Sequence, residues 1–248
     1  MPTLTMSQYQ LVYNSISFAI ASMGGAFVFF VLSRPDVNAK YRHAITMSAL
    51  VCFIAGYHYL RIFESWRDAF ALEGGMFAPT GEPFNDAYRY IDWLLTVPLL
   101  LAEYVALLSI DRAKAEGLSF RLIVAAVLMI GTGYVGEVAA VATDGTRAIW
   151  GAVSTVPFVY ILWVLWGEIG EAMGKESAYV QTLMRNTRLL LLATWGFYPI
   201  TYMLPMFGIA AGSAVVVLQL GYSLADVLAK AGYGLMIYRI AKAKSDSL

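Results

Sequence analysis

The stretch VVVLQLGYSLADVLAKAGYGLMIYRIA, residues 215–241, holds a lysine near the middle of the last long apolar run in the chain. Asp226 precedes Lys230 by four residues, so a helix places both side chains on one face, one turn apart. A charged lysine at the centre of a membrane helix costs about 2.5–3.5 kcal/mol on insertion scales, which favours a functional reason for its presence. A buried lysine can react with a carbonyl to form a Schiff base, and the carboxylate beside it can act as the counterion.

Comparable apolar runs occupy most of the remaining sequence. Of the 248 residues, 59% are hydrophobic and 14% are charged, with a mean hydropathy of +0.64, whereas a soluble domain carries about 25% charged residues. We therefore predict an all-α membrane protein, a seven-transmembrane-helix bundle that forms one domain over residues 1–248, because each run can reach the roughly 20 residues that a bilayer core requires. The predicted spans are 10–33, 44–64, 89–110, 120–142, 148–170, 186–208 and 213–241.

Basic residues are distributed unequally between the two sets of connecting segments. They concentrate after spans one, three and five and at the end of the chain, whereas the opposite loops are mainly acidic. By the positive-inside rule, the N-terminus is predicted to lie outside and the C-terminus in the cytoplasm. The basic clusters are Arg34, Lys40 and Arg42; Arg112, Lys114 and Arg121; Lys175, Arg185 and Arg188; and Arg239, Lys242 and Lys244.

Several features restrict the remaining possibilities. The N-terminal sequence MPTLTMSQYQ has neither a basic region nor a cleavage site, so we expect no removable signal peptide. The single cysteine, Cys52, lies inside a span, which excludes an intrachain disulfide and predicts no cysteine metal cluster. The net charge of zero gives no indication of a nucleic-acid partner. The Gly-Gly, Ala-Pro and Glu-Pro pairs of segment 67–88 predict turns and a small hairpin.

The third span, RYIDWLLTVPLLLAEYVALLSI, carries three ionisable residues. Asp92 and Glu103 are eleven residues apart, about three helical turns, so they share a face on which Arg89 and Thr96 also lie. If this helix faces the last one, Lys230 has Asp92 and Asp226 on its outer side and Glu103 on its inner side. A proton would then leave the lysine nitrogen outward and be replaced from the inner carboxyl group.

Any single pair among these charges could instead be a structural ion pair inside a bundle. Five ionisable groups on two consistent helix faces are much harder to explain in that way. His58, in AGYHYLRIF, is predicted to lie level with Asp92, where a hydrogen bond would tune the pKa of that carboxylate within about pH 5–8. A lone histidine is more often a core residue, so both interpretations of His58 stay open.

Aromatic residues and glycines surround the predicted lysine position. The aromatic residues either pack the core or wall a cavity for a long, flat, conjugated ligand. The glycines of MIGTGYVGE either permit close helix approach or leave room for that ligand. The aromatic residues are Trp93, Trp195, Tyr198 and Tyr222, and the glycines are Gly131, Gly133 and Gly136.

The motifs RYIDWLLTVPLLLAE, MIGTGYVGE, STVPFVYILWVLW, WGFYPI and DVLAK together resemble the microbial (type 1) rhodopsins. The resemblance covers essentially the whole chain and is strongest to the proteorhodopsins and their xanthorhodopsin branch. It implies all-trans retinal bound to Lys230 as a Schiff base. It also implies that Asp92 is the primary proton acceptor and counterion, that Asp226 is the second counterion, and that Glu103 is the proton donor.

The same resemblance implies roles for further positions. Arg89 would organise the external half-channel, Thr96 would complete the Asp–Thr–Glu pattern of outward pumps, and His58 would pair with the acceptor aspartate. Leu100 matches a position where leucine suggests green absorption. The implied retinal-pocket residues are Trp93, Leu100, Met129, Gly133, Ser154, Phe158, Trp195, Tyr198 and Tyr202.

Gly151 suggests a second pigment. Archaeal pumps have a bulky tryptophan at the matching place, whereas xanthorhodopsin-like proteins have a glycine that opens a lipid-facing window for a carotenoid. The resemblance therefore implies a hydroxylated carotenoid antenna at Gly151. Simple helix packing by a small residue is the alternative.

The predicted function is a light-driven outward proton pump, which is an ion transporter rather than an enzyme, in a prokaryotic inner membrane. The stretch AAGSAVVVLQLGY carries no acid, so early release through paired external glutamates is not expected. Asp92 and Glu103 disfavour the sodium-pump and chloride-pump patterns. The family implies a homo-oligomer, a trimer or a pentamer. Two alternatives remain: a photosensory rhodopsin that signals to a membrane partner, and a solute transporter with a lysine-centred site and no pigment.

Overall fold

A computed structural model of the chain describes residues 1–139, 144–203 and 211–247, and most of them are helical. The α-helices are α1 (Met6–Ser33), α2 (Arg42–Asp68), α3 (Ala87–Val105), α4 (Arg112–Ala139), α5 (Asp144–Trp166), α6 (Glu168–Met173), α7 (Ala178–Trp195), α8 (Phe197–Met203), α9 (Ala211–Val227) and α10 (Tyr233–Ser245). Two 3₁₀ turns, Arg34–Asp36 and Ala39–Tyr41, connect α1 to α2.

Several helices join end to end, so the ten helices form seven rods. The α5–α6 rod is interrupted at Gly167 and the α7–α8 rod at Gly196, and in both the helical hydrogen bonding runs into the break. The α9–α10 rod is continuous through a π-helical turn, Leu228–Gly232. The π-helix occurs mostly as single turns inside α-helices, frequently at functional sites, and this one contains Lys230.

Five of the seven rods are long and apolar enough to cross a membrane by length and composition. They cover Met6–Asp36, Ala39–Asp68, Arg112–Val138, Gly145–Met173 and Ala211–Ser245. The other two, α3 and α7–α8, are also predicted spans, but α3 carries Arg89, Asp92 and Glu103 in 19 residues, and α7 carries Arg185 and Arg188 in 18. Arg89, Asp92 and Glu103 are buried inside the bundle, which lets α3 sit among apolar helices, whereas Arg185 is exposed and Arg188 is half-buried.

Most helices extend a few residues beyond the predicted spans, and α4 begins eight residues earlier, at Arg112. Two further differences have a visible local cause. Span 89–110 ends at Val105 in the structure, because the amides of Leu107 and Leu108 bond to carbonyls three residues earlier and tighten the chain into a turn. Span 186–208 begins earlier, at Ala178, where the Ser177 side chain accepts from the Val180 amide and caps α7. The predicted ends at 142 and 208 lie outside the described residues.

A small antiparallel sheet covers the end of the bundle at which α2 ends and α3 begins. Strands β2 (Phe70–Glu73) and β3 (Met76–Pro79) form the hairpin predicted for segment 67–88. Gly74 and Gly75 make its turn with φ of 56° and 82°, a region that favours glycine. Strand β1 (Leu4–Thr5), which the sequence did not predict, pairs with the outer side of β3.

The bundle is polar at its centre and apolar on much of its outer surface. Arg89, Asp92, Glu103, Asp226 and Lys230 are all buried. Large apolar side chains instead point outward, as expected for helices that face lipid. Examples of these exposed residues are Phe18, Leu32, Phe53, Phe120, Val156 and Trp163.

Candidate functional site

The centre of the site is the Lys230 amine, which contacts two carboxylates. Its Nζ lies 2.6 Å from Oδ1 of Asp226 and 2.9 Å from Oδ2 of Asp92, and all three side chains are at most 2% exposed. Asp226 is one turn earlier in the same rod, whereas Asp92 comes from α3, so the predicted facing of these two helices is present in the structure. Two carboxylates share one ammonium, and this arrangement can hold and exchange a proton.

The two carboxylates differ strongly in their hydrogen bonding. Oδ1 of Asp226 accepts from Tyr198 Oη at 2.5 Å and from Trp93 Nε1 at 3.2 Å, in addition to Lys230. Its Oδ2 accepts from Tyr59 Oη at 2.8 Å. Asp92 has the ion pair with Lys230, but neither of its oxygens accepts an aligned hydrogen bond from the described residues. Donors stabilise a carboxylate over its protonated form, so this difference favours the charged form more strongly at Asp226 than at Asp92.

His58 lies on α2 and is 6% exposed, but the predicted hydrogen bond to Asp92 is not formed. Its Nδ1 lies 2.9 Å from the carbonyl oxygen of Ile54, one turn earlier in the same helix. Thr96 is also buried, and its hydroxyl donates to the backbone carbonyl of Asp92 at 2.8 Å. The Thr96 contact fixes the backbone under Asp92 without reaching its carboxylate.

Arg89 extends the polar centre toward the sheet-covered end of the bundle. Its guanidinium donates to Tyr59 Oη at 3.1 Å and to Gln219 Oε1, and it lies 3.8 Å from Asp226 Oδ2. Its Nε donates to Asp86 Oδ1 at 3.0 Å. Sequence reasoning missed Tyr59, Gln219 and Asp86. A signal for Gln219 existed, because it lies seven residues before Asp226 and therefore on the same helix face.

Glu103 lies on the other side of Lys230 and has a sparse environment. Its side chain is fully buried, Oε2 accepts from Ser48 Oγ at 2.6 Å, and Oε1 has no hydrogen-bond partner among the described residues. A charged carboxylate in such a place is costly, so the neutral acid is favoured. Sequence reasoning missed Ser48, which carries little signal, since a serine inside a helix often bonds to its own backbone.

An elongated cavity of about 540 Å³ begins at Lys230. Its walls are almost entirely apolar, and aromatic rings from α3, α5, α7–α8 and α9 contribute to them. All the predicted pocket residues line it: Trp93, Leu100, Met129, Gly133, Gly151, Ser154, Phe158, Trp195, Tyr198 and Tyr202. A cavity of this size with one reactive amine and few polar groups fits a long apolar molecule with a terminal carbonyl. Sequence reasoning missed other lining residues, among them Tyr90, Arg147 and Thr155.

Gly151 lies where this cavity approaches the outer surface of α5. A Cβ atom added at Gly151 would lie 3.0 Å from Cε1 of Tyr202, so the absence of a side chain permits a close contact with that ring. The Tyr202 hydroxyl donates to the Arg147 carbonyl at 3.0 Å, which holds the ring in place. The close contact with Tyr202 supports the interpretation that Gly151 serves helix packing. The partly exposed cavity wall at Gly151 supports the interpretation that it opens a window.

Comparison with known proteins agrees with this geometry. The sequence model of the family described as "Bacteriorhodopsin-like protein" matches residues 11–244. The chain is 33% identical to the green-light absorbing proteorhodopsin of Gamma-proteobacterium EBAC31A08, over 95% of this chain and 89% of that protein. It is 32% identical to the bacteriorhodopsin of Halobacterium salinarum, over 90% of this chain and 81% of that protein.

Two solved structures match at higher sequence identity. The structure of xanthorhodopsin, described as a light-driven ion pump with dual chromophore, superposes with a TM-score of 0.95 at 55% identity, over 100% of this chain and 98% of that one. That of thermophilic rhodopsin superposes with a TM-score of 0.96 at 51% identity and the same coverage. The chain belongs to the bacteriorhodopsin-like family and has the rhodopsin fold. The predicted resemblance to type 1 rhodopsins is confirmed.

Proposed function

We propose that this protein is a light-driven outward proton pump that binds all-trans retinal through Lys230. The observation that carries the proposal is the buried Lys230 amine, which contacts Asp92 and Asp226 and opens onto an apolar cavity of about 540 Å³. The similarity of the chain to the proteorhodopsin, bacteriorhodopsin and xanthorhodopsin described above supports the same proposal.

Lys230 would hold retinal as a Schiff base, and the aromatic and apolar residues of the cavity would enclose the polyene. When bound, retinal supplies a light-driven isomerisation that changes the surroundings of the lysine nitrogen. Leu100 lines the cavity and is the residue we expect to favour green absorption. Trp93 and Tyr198 both line the cavity and donate to Asp226, so they couple the pocket walls to the second counterion.

The proton steps follow from the different environments of the three carboxyl groups. The proton on Lys230 Nζ passes to Asp92, whose oxygens have few donors, while Asp226 keeps its charge among four donors. Glu103, neutral in its apolar environment, then returns a proton to the lysine nitrogen. Arg89 orients the outer side of the site. His58 remains the residue that we propose to tune Asp92, although no hydrogen bond between the two side chains is formed in this structure.

The proposed direction of transport depends on how the chain is oriented in the membrane. The basic clusters after spans one, three and five and at the chain end support an external N-terminus and a cytoplasmic C-terminus. The Arg89 side of Lys230 is then outside, and the Glu103 side is inside. We propose that the chain is one multi-pass domain of a prokaryotic inner membrane and that it assembles as a homo-oligomer.

The decisive experiment measures the external pH of retinal-supplied cells under green light, with and without a protonophore. Reversible acidification that the protonophore abolishes is the expected result. A coloured membrane without any pH change would contradict the pump and support the photosensor. Cells without a pigment would contradict the assignment of Lys230 and favour a solute transporter.

We further propose that a hydroxylated carotenoid rests against Gly151 and passes excitation energy to retinal. The partly exposed cavity wall at Gly151 supports the proposal, as does the similarity to xanthorhodopsin, whose description gives it a dual chromophore. The test compares the excitation spectrum for transport in Gly151→Trp and Gly131→Trp, after addition of a hydroxylated carotenoid.

Gly131 is the matched control, because it is exposed, a Cβ there meets nothing within 4 Å, and it does not line the cavity. Carotenoid-band transport is expected to disappear in Gly151→Trp and to persist in Gly131→Trp, with retinal-band transport present in both. Persistent carotenoid-band transport in Gly151→Trp would contradict the antenna site.

A further inference from the structure

The network around Arg89 reaches the protein surface at one carboxylate. Asp86 Oδ1 accepts from Arg89 Nε at 3.0 Å, and Asp86 Oδ2 accepts from Gln219 Nε2 at 3.3 Å. The Arg89 side chain is 1% exposed and Asp226 is 0% exposed, whereas the Asp86 side chain is 32% exposed. Asp86 is therefore the point at which this buried network meets solvent.

The Asp86 side chain does not serve as a helix cap. The residue immediately precedes α3, where an aspartate commonly accepts hydrogen bonds from the first amides of a helix. Here its side chain makes no capping hydrogen bond, and its own backbone is already helical at φ −78° and ψ −11°. Both carboxylate oxygens are instead turned toward Arg89 and Gln219. The geometry therefore uses the carboxylate in the network rather than at the helix end.

The contacts form an unbroken series from the lysine to Asp86. Lys230 contacts Asp226, Tyr59 Oη bonds to Asp226, Arg89 Nη1 bonds to Tyr59, and Arg89 Nε bonds to Asp86. A guanidinium is not deprotonated in proteins, so Arg89 can orient and attract but cannot carry the proton. A carboxylate on its solvent side can carry one. Segment 211–222, at the start of the last rod, contains no acid that could do so.

We propose that Asp86 is the proton-exit carboxylate of this protein. The O–H bond of protonated Asp92 breaks as an O–H bond forms at an Asp86 oxygen, and the Asp86 O–H bond then breaks in favour of solvent water, which regenerates the carboxylate. Arg89 contacts Asp226 on one side and Asp86 on the other. A change of charge at Asp92 or Asp226 therefore changes the electrostatic environment of Asp86. The inference rests on the proposed outward pump and its orientation.

The test follows proton release from the retinal-loaded protein in lipid nanodiscs after a light flash, with a pH-indicator dye in the medium. Deprotonation of the Lys230 nitrogen is followed in the same sample by absorption. Asp86→Asn keeps the shape and an acceptor for Arg89 but cannot hold the proton. Asp86→Glu keeps the carboxylate, and Asp68→Asn changes an exposed aspartate at the same end of the bundle.

In Asp86→Asn we expect release to be delayed at least about tenfold, because a positioned proton-transfer group contributes roughly 10²–10⁴-fold and water replaces it only in part. Deprotonation of Lys230 should keep its wild-type time. Asp86→Glu and Asp68→Asn should release protons on the wild-type time. If Asp86→Asn forms no pigment, Asp86→Ser takes its place with the same expected delay.

Wild-type timing in Asp86→Asn would overturn the inference. An equal delay in Asp86→Asn and Asp86→Glu would also overturn it, because it would indicate a contact that only positions Arg89. If the proposed pump function is wrong, the wild-type protein itself releases no protons after the flash. The two failures are therefore separated before any variant is compared.

Discussion

On the Arg89 side of Lys230, polar side chains contact one another continuously as far as the surface, whereas on the Glu103 side one carboxyl group lies among apolar residues. The guanidinium of Arg89 by itself donates to three side chains, those of Tyr59, Gln219 and Asp86. Within the part of the chain that the structure describes, Glu103 has a single hydrogen bond, from Ser48, and no polar contact with Lys230. Both sides hold buried ionisable groups, but only the first has its donors and acceptors already matched.

The difference indicates how the proposed pump separates release from uptake. A connected network lets charge move toward the surface without rearrangement, whereas an isolated buried acid exchanges its proton only when solvent or a neighbour reaches it. The Glu103 side therefore needs a conformational change during each cycle, and the resting structure blocks flow back from that side. Four substitutions test this comparison, from the largest expected effect to the smallest.

Asp92→Asn removes the proposed proton acceptor, which lies at the junction of the two sides. Light-driven proton transport should fall by at least about 100-fold, because the transfer group is lost. The absorption maximum should move to longer wavelength, since a neutralised counterion lets the positive charge delocalise along the pigment. External pH and absorption spectra measure the two effects, with Asp68→Asn as the control. Full transport in Asp92→Asn would show that Asp92 is not the acceptor.

Glu103→Gln tests the isolated side. Reprotonation of the Lys230 nitrogen should slow by roughly 100-fold, while the absorption maximum stays unchanged because Glu103 does not contact Lys230. Flash photolysis measures the recovery, and deprotonation of Lys230 in the same record is the internal control. Recovery at the wild-type rate would remove Glu103 as the donor.

Ser48→Ala removes the one hydrogen bond of Glu103. The hydroxyl stabilises the carboxylate that remains after Glu103 gives up its proton, so its loss should slow reprotonation of Lys230 by about tenfold, equivalent to about 1.4 kcal/mol. Ser48→Thr keeps the hydroxyl and should recover close to the wild-type rate. Faster recovery in Ser48→Ala would contradict this assignment, because it would show that the hydroxyl holds the proton on Glu103 instead of stabilising the carboxylate.

Glu176→Gln weakens the closure at the Glu103 end of the bundle. Lys244 is 4% exposed there and donates to Glu176, to Ser109 and to the carbonyl of Leu107, the residue one turn beyond Glu103. Loss of the charged acceptor should lower the free energy of unfolding by about 2 kcal/mol, since the other two contacts remain. Transport should stay close to that of the wild type.

Thermal unfolding of the pigment measures the Glu176→Gln effect. Asp246→Asn is the matched control, because Asp246 also pairs with a lysine of α10, but both partners are exposed. Its melting temperature should not change measurably, as is usual for surface ion pairs. Equal melting temperatures for both variants would show that the Lys244 cluster does not hold this end together.

The helical character of the chain could be predicted from local sequence, as could the shared helix faces of Asp92 with Glu103 and of Asp226 with Lys230. The proposed roles of these residues and the ten predicted residues of the cavity wall came instead from the resemblance to a known family. Apolar runs of membrane length and lone charges inside them are strong local signals, and the spacing between Asp226 and Lys230 is a property of one helix. The hairpin in segment 67–88 was predictable for the same reason, because Gly-Gly is a local turn signal. Family membership followed from motifs that are themselves contiguous.

Only the tertiary structure decided how the groups from different helices meet. The approach of Asp92 to Lys230 at 2.9 Å, the contact of Ser48 with Glu103 and the Asp86–Gln219 contact each join distant segments. The predicted bond from His58 to Asp92 is not present, and Nδ1 of His58 instead lies 2.9 Å from the Ile54 carbonyl oxygen in its own helix. Sequence spacing determines which face a side chain occupies, but its partner depends on how the helices rotate and pack.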